Sequence, residues 1–274
     1  MDLHHLRSAP KEWLGRMRLA FELAAPRRYL FIMSHMRSYS SLLCHILNSN
    51  REVAGYVEMH ESYTTSLDLF KLTMRVRELT GEQLQSGQYL LDKLLFNYEI
   101  SEQMLARDDI VMLFTIREPE KTIRSIIAMG RKRKKPDWKS KPDRVVDYYA
   151  RRLDRLADVA ADKPRRSLFF EADQLIDDTP ALLDAFGSFL ELKQPLRSTY
   201  ETFEYTGKPK FGDPSKFISS GRIVRDRADY DGVDIPAELM DKAWTAFEDA
   251  RKVLADSCEV DASRAYGRRA VRPA

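Results

Sequence analysis

Short apolar runs alternate along the chain with stretches of helical spacing. Runs suited to strands fall at 29–33 (YLFIM), 53–57 (VAGYV), 89–92 (YLLD), 110–116 (IVMLFTI) and 167–171 (SLFFE). The run at 110–116 is apolar almost throughout, as expected of a central strand buried on both faces. Helical spacing is predicted over 42–47, 67–79, 98–106, 119–129, 145–160, 180–192 and 237–254. Pro119 opens one of these helices, where proline's missing N–H costs nothing. Residues 1–26 suit a separate amphipathic helix, with Trp13, Leu14, Met17, Leu19, Phe21 and Leu23 on its apolar side. The segment 205–223 is rich in Gly, Pro and Ser and too long for a simple turn, as functional or disordered loops are. The last residues, 259–274, read as a tail that frays from Arg264 onward.

Strands alternating with helices give an α/β fold with a central parallel sheet and helices on both faces. Right-handed crossovers bring the loops after successive strands to one edge of such a sheet, where ligands bind. Arg37, Glu58, His60, Lys93 and Arg117 each follow a predicted strand and should therefore converge.

Composition narrows the class. A chain of 274 residues with 43% hydrophobic residues is globular and has ample core for one large domain. The net charge of +3 does not make the whole molecule a polyanion binder. No apolar run reaches membrane-spanning length, and the N-terminal segment, broken by charges, is not a signal peptide. Cys44 and Cys258 lie far apart and form no metal spacing, and the five histidines form no zinc motif, so no metal is expected. These features suit a soluble protein of a reducing, cytoplasmic compartment. The run 131–144 carries eight Lys/Arg against two Asp but only one aromatic, Trp138, which does not suggest nucleic-acid binding. Such a run is commonly a solvated loop, and it also suits an acidic or lipid-headgroup acceptor or a phosphate.

The chemistry starts at 29–43, YLFIMSHMRSYSSLL. A buried strand, a polar turn and a helix opening with hydroxyls make an anion cradle. The first N–H groups of the helix and its dipole favour negative charge there. Ser38, Ser40 and Ser41 add donors, and Arg37 adds a planar fork for phosphate oxygens. The Gly and Lys of a nucleotide-triphosphatase loop are missing.

Three collinear segments resemble the sulfotransferases that use 3′-phosphoadenosine 5′-phosphosulfate (PAPS), in a bacterial-type version. Met36-Arg37-Ser38-Tyr39-Ser40-Ser41-Leu42-Leu43 is similar to that family's 5′-phosphosulfate loop, with Met36 where Pro is usual and Tyr39 where Gly is usual. Arg117-Glu118-Pro119 with Ser125 matches its 3′-phosphate motif in spacing. Thr206-Gly207-Lys208-Pro209-Lys210-Phe211-Gly212-Asp213, followed by a tail through Arg222, resembles its late nucleotide-closing loop with Gly and Lys in altered order. The likeness spans about 27–225. It implies a three-layer, P-loop-like fold, with the sulfotransferase domain at 27–258. It also implies PAPS as donor and 3′-phosphoadenosine 5′-phosphate (PAP) as product, without a metal.

On this reading Arg37, Ser38, Tyr39, Ser40, Ser41, Arg117, Ser125, Lys208, Gly212 and Arg222 hold the nucleotide. Arg37 and Lys93 steady charge on the leaving group and the sulfuryl oxygens. The base lies among Glu58, His60 and Glu61. An imidazole's ordinary pKa of about 6.5 suits that task at neutral pH, so His60 oriented by Glu58 is preferred to Glu58 alone. The acceptor is a hydroxyl or amine on a small molecule, glycan or lipid, and its pocket is expected from 63–84 and 131–149. Two rivals predict different binding. A P-loop-like nucleotide kinase or switch needs Mg²⁺ and ATP or GTP. A non-catalytic module binds the nucleotide or a polyanion without turnover.

Overall fold

The computed structural model describes residues 25–266, apart from 82, 97, 136, 163, 209–210, 214, 216, 226–229 and 231. The helix expected over 1–26 thus lies, but for its last two residues, outside the described residues. So do 267–274 of the tail and Pro209 and Lys210 of the late loop.

The chain forms one six-stranded sheet. Its strands are β1 (Arg28–Met33), β2 (Val53–Ala54), β3 (Tyr89–Leu94), β4 (Ile110–Ile116), β5 (Ser167–Glu171) and β6 (Val260–Asp261). Their order across the sheet is β2-β3-β1-β4-β5-β6, and every pairing is parallel. All carboxyl ends therefore lie on one edge. The connecting helices are α1 (Ser40–Asn48), α2 (Ser66–Thr80), α3 (Glu102–Leu105), α4 (Pro119–Arg131), α5 (Pro142–Ala161), α6 (Gln174–Asp177), α7 (Thr179–Phe189), α8 (Ala237–Ser257) and α9 (Ser263–Tyr266).

The period-2 geometry of the strands builds two cores. Phe31 and Met33 of β1, with Met112 and Phe114 of β4, face one side and pack with α2, α4, α5 and α8. Leu30 and Ile32, with Val111 and Leu113, face the other side and pack with α1 and α7. All seven residues of β4 are buried, and each large apolar side chain so covered contributes roughly 1.5–3 kcal/mol. The layers are helix, sheet, helix, as the alternation predicts.

Four boundaries differ from the sequence expectation. The second strand pairs only over Val53–Ala54. Gly55 then turns to φ +116, and a Cβ there would meet the Leu91 carbonyl oxygen at 2.3 Å. The ladder ends where the chain presses against β3. The helix expected over 98–106 is only α3. Upstream of it, Tyr63 N–H donates to Glu99 and Ser101 N–H to Tyr63, so the backbone is extended until Ser101 caps the helix. The third strand runs on through Lys93 to Leu94, and the segment after Cys258 supplies β6 on the sheet edge. The boundary drawn at residue 258 therefore cuts just ahead of a strand.

Candidate functional site

Polar side chains gather at the carboxyl edge of β1, β3 and β4. The turn after β1 is held from within. Ser38 is buried, and its hydroxyl donates to the His35 carbonyl oxygen at 2.8 Å. Arg37 and Tyr39 take left-handed backbone, φ 68 and φ 59. Tyr39, just ahead of α1, stands where the resembling loops carry Gly, and the conformation explains that preference. Its side chain leans away from the helix start onto Arg117. That guanidinium lies 4.3 Å from the ring centroid, and its Nη2 donates to the phenol oxygen at 2.6 Å. Met36 replaces the usual Pro and uses the N–H that Pro lacks, donating to the Tyr148 hydroxyl at 3.0 Å.

Arg37 and Arg117 share this rim. Arg37 Nε donates to Ser125 Oγ at 2.9 Å, and its Nη1 lies 3.3 Å from Asp213 Oδ1. Arg117 donates through Nη1 to the Arg37 carbonyl at 3.2 Å and through Nε to Asp173 at 3.2 Å. The late loop closes onto the same spot. Asp213 N–H donates to Ser41 Oγ at 3.1 Å. A Cβ on Gly212 would stand 3.2 Å from Ser41 Oγ and 3.5 Å from Lys93 Nζ. Glycine therefore lets the loop lie against a hydroxyl and an ammonium that a side chain would crowd.

Lys93, only 2% exposed, donates to Ser41 Oγ at 2.9 Å and faces Glu58 Oε2 at 3.5 Å. Glu58 is buried in turn, with Oε1 3.3 Å from Nδ1 of the more exposed His60. Cation, carboxylate and imidazole thus form a row running outward from the first turn of α1. Asp92 sets the row's position. Its carboxyl accepts from Met59 N–H at 3.0 Å, Tyr63 OH at 2.7 Å and Lys93 N–H at 2.7 Å. Complete burial pushes its pKa up to about 7 even though those three donors oppose the rise.

Not every expected residue joins. Lys208 lies over the Tyr205 ring and 3.9 Å from Glu204, in an exposed pair. Arg222 is exposed, and its backbone bridges to Thr199. Glu61 is exposed, whereas Ser40 is buried at the first position of α1. The loop carrying Lys208 is anchored instead by His45, whose Nε2 meets Thr206 Oγ1 at 2.9 Å while Nδ1 faces the Ser41 carbonyl at 2.8 Å.

One residue that sequence reasoning passed over ties the turns after β1 and β4 together. His35 is fully buried. Its Nε2 lies 2.9 Å from Arg117 N–H, and its Nδ1 lies 2.9 Å from the Met36 carbonyl. A backbone N–H can only donate and a carbonyl can only accept, so the proton sits on Nδ1 and Nε2 accepts. Burial, reinforced by the charges of Arg117 and Arg152, lowers its pKa to about 3. It is a neutral clasp. Tyr149 OH completes the grip, donating to the Arg117 carbonyl at 2.6 Å. Nothing in a lone His within a polar turn announces a partner 82 residues away.

Among the described residues no helix is long and apolar enough to cross a membrane. No family model matches the chain, and no curated protein matches it. Among solved structures, a sulfotransferase domain from the curacin biosynthetic pathway superposes with a TM-score of 0.55 at 15% identity, covering 86% of this chain and 100% of that one. The protein has the α/β fold of that sulfotransferase domain.

Proposed function

We propose that the protein is a sulfotransferase that takes a sulfuryl group from PAPS and gives it to a hydroxyl or amine. The observation carrying this reading is the meeting of Arg37, Lys93 and Arg117 on one strand edge with Ser41 and Ser125 between them. Two guanidinium forks and an ammonium, with hydroxyls and the start of a helix, suit an adenosine bisphosphate. Gly212 brings the late loop against Ser41 and Lys93 without a side chain to crowd either group. Bound there, PAPS would supply the sulfuryl group and depart as PAP.

The protein's own residues then have separable tasks. Arg117 and Ser125 hold the 3′-phosphate, and Arg37 with the N–H groups opening α1 holds the 5′-phosphate. Lys93 steadies the negative charge that grows on the bridging oxygen as its bond to sulfur breaks. His60, facing Glu58, accepts the acceptor's proton as the new bond to sulfur forms. Asp213, Glu58 and Asp173 balance these cations and keep them aligned. No step calls for a metal.

The test is thermal stabilisation. PAP at a hundred times its Kd should stabilise the fold by about 2.7 kcal/mol, while ATP with Mg²⁺ should do so far less. Stabilisation by ATP–Mg²⁺ but not by PAP would replace this reading with a nucleotide kinase. PAP binding without sulfuryl transfer to any hydroxyl or amine in a broad panel would leave a non-catalytic binder.

A further inference from the structure

A cavity of about 420 Å³ lies beside the carboxyl edge of the sheet. It is lined by Phe96, Trp138, Arg144, Tyr148, Arg151 and Arg152. Three of the six are aromatic and three carry guanidinium groups, with no carboxylate among them. The rings form one wall. Tyr148 lies 5.8 Å from Phe96 and 5.3 Å from Trp138, centroid to centroid, and Lys139 stands 5.4 Å from the Trp138 ring. The floor belongs to the sheet edge. Arg152 Nε donates to the Ser34 carbonyl at 2.9 Å and its Nη2 to that of Leu94, while Tyr148 accepts the Met36 N–H. The cavity therefore abuts the carboxyl ends of β1 and β3, one residue past Lys93.

Arg152 supplies the decisive detail. It is 2% exposed, and after those two carbonyls its Nη1 remains buried without a hydrogen-bond partner. A buried guanidinium donor left unpaired is expensive. Among the described residues no carboxylate is hydrogen-bonded to Arg152. Arg144 has only an exposed pairing, 3.6 Å from Asp143, and Arg151 is engaged through Nε to the Asp147 carbonyl at 3.1 Å. Burial lowers the pKa of Arg152 to about 10 and that of Lys139 in direction, as expected where cations crowd a dry wall. An apolar slot floored by a guanidinium with one N–H group left unpaired accommodates a flat body bearing an anion.

Resting on the sulfotransferase reading, we infer that this cavity is the acceptor pocket and selects an acceptor with a flat, apolar or aromatic body and an anionic group. Arg144, Arg151 and Arg152 receive the anion, and the aromatic wall receives the body. That leaves the acceptor's hydroxyl or amine directed at Lys93, Glu58 and His60. The basic run 131–144, which supplies Trp138 and Arg144, thereby gains a role in selection.

Calorimetric titration tests the inference without requiring turnover. The probes are 4-hydroxybenzoate, its neutral isostere 4-hydroxybenzamide, and phenyl phosphate, each added to the full chain with and without PAP. The carboxylate or the phosphate should bind at least tenfold more tightly than the amide, and whichever leads identifies the kind of anion. Joint Arg144→Gln and Arg151→Gln substitution, at positions on the helix surface, should reduce that preference at least threefold. Trp138→Ala should weaken all three probes. Equal affinity for benzoate, phosphate and benzamide, in a protein that binds PAP, overturns the inference and leaves the sulfotransferase reading standing. Failure of PAP to bind while the anion preference persists sinks the sulfotransferase reading and keeps an anion-selective pocket. An anion preference unchanged in the double variant and in Arg152→Met would mean that the anion sits elsewhere, and would also overturn the inference.

Discussion

Replacing His35 with Leu removes the clasp while nearly preserving its volume. The variant strands two buried backbone groups, the Arg117 N–H and the Met36 carbonyl. At about 1–3 kcal/mol for each unsatisfied group, and allowing for partial relaxation, the loss should be about 2–4 kcal/mol near pH 7.5. The pH dependence carries more information. The folded-state pKa of His35 is lowered from 6.5 to about 3, so the unfolded chain binds the proton more readily. Its contribution is present in full above about 6.5 and is lost as pH falls, by about 2 kcal/mol at pH 5. Asp92 works in the opposite direction. Its pKa is raised from 3.8 to about 7, so the folded state holds that proton more tightly. It should add about 2–3 kcal/mol over the same fall in pH. Wild-type stability, taken over these two groups, should therefore change little between pH 7.5 and pH 5. His35→Leu lacks only one of them, so its deficit against wild type should shrink by about 2 kcal/mol at pH 5. Urea denaturation of both proteins at the two pH values measures this directly. A deficit that stays constant would show that His35 is not a neutral buried imidazole, and the clasp argument would fail. The same variant should bind PAP at least tenfold more weakly, since the Arg117 peptide is then held only at its carbonyl end.

Other substitutions separate the remaining roles. His60→Ala and Glu58→Gln should each lower kcat for sulfuryl transfer by about 10²–10⁴ with PAP binding retained; normal rates in both would remove the pair from the mechanism. Met36→Pro restores the residue usual in the resembling loops, yet here it deletes the donor to Tyr148 and should lower stability by about 1–3 kcal/mol in denaturant, so a stabilised variant would refute the hydrogen bond. Gly55→Ala forces a Cβ to within 2.3 Å of the Leu91 carbonyl, and a melting temperature equal to wild type would contradict that packing.

The strands were legible because burial on both faces leaves continuous apolar runs, as in β4. Convergence of Arg37, Glu58, His60, Lys93 and Arg117 was legible because parallel strands send their following loops to one edge. The two-residue β6 was not, since so short a strand carries no period. Asp92 was read only as the end of a strand; its importance comes from Tyr63 and Met59, which reach it through the tertiary fold. Arg152 did leave a signal. It falls on the stripe of Val145, Tyr149 and Leu156 along α5, all buried, and a charge on an apolar stripe asks for a partner. His35 left none, because both its bonds are to backbone atoms. Lys208 and Arg222 were expected as nucleotide contacts from the loop's resemblance to the family's late loop, but a resemblance in sequence does not say which way side chains turn.

The hydrogen bond from Met36 to Tyr148 makes one phenol common property of the turn after β1 and the aromatic cavity. A guest that shifts the ring must move the backbone that cradles the other guest. Thermodynamic reciprocity then requires each to alter the other's affinity by the same factor. Tyr148→Phe, which keeps the ring and cuts the tether, should bring that factor close to one in paired titrations.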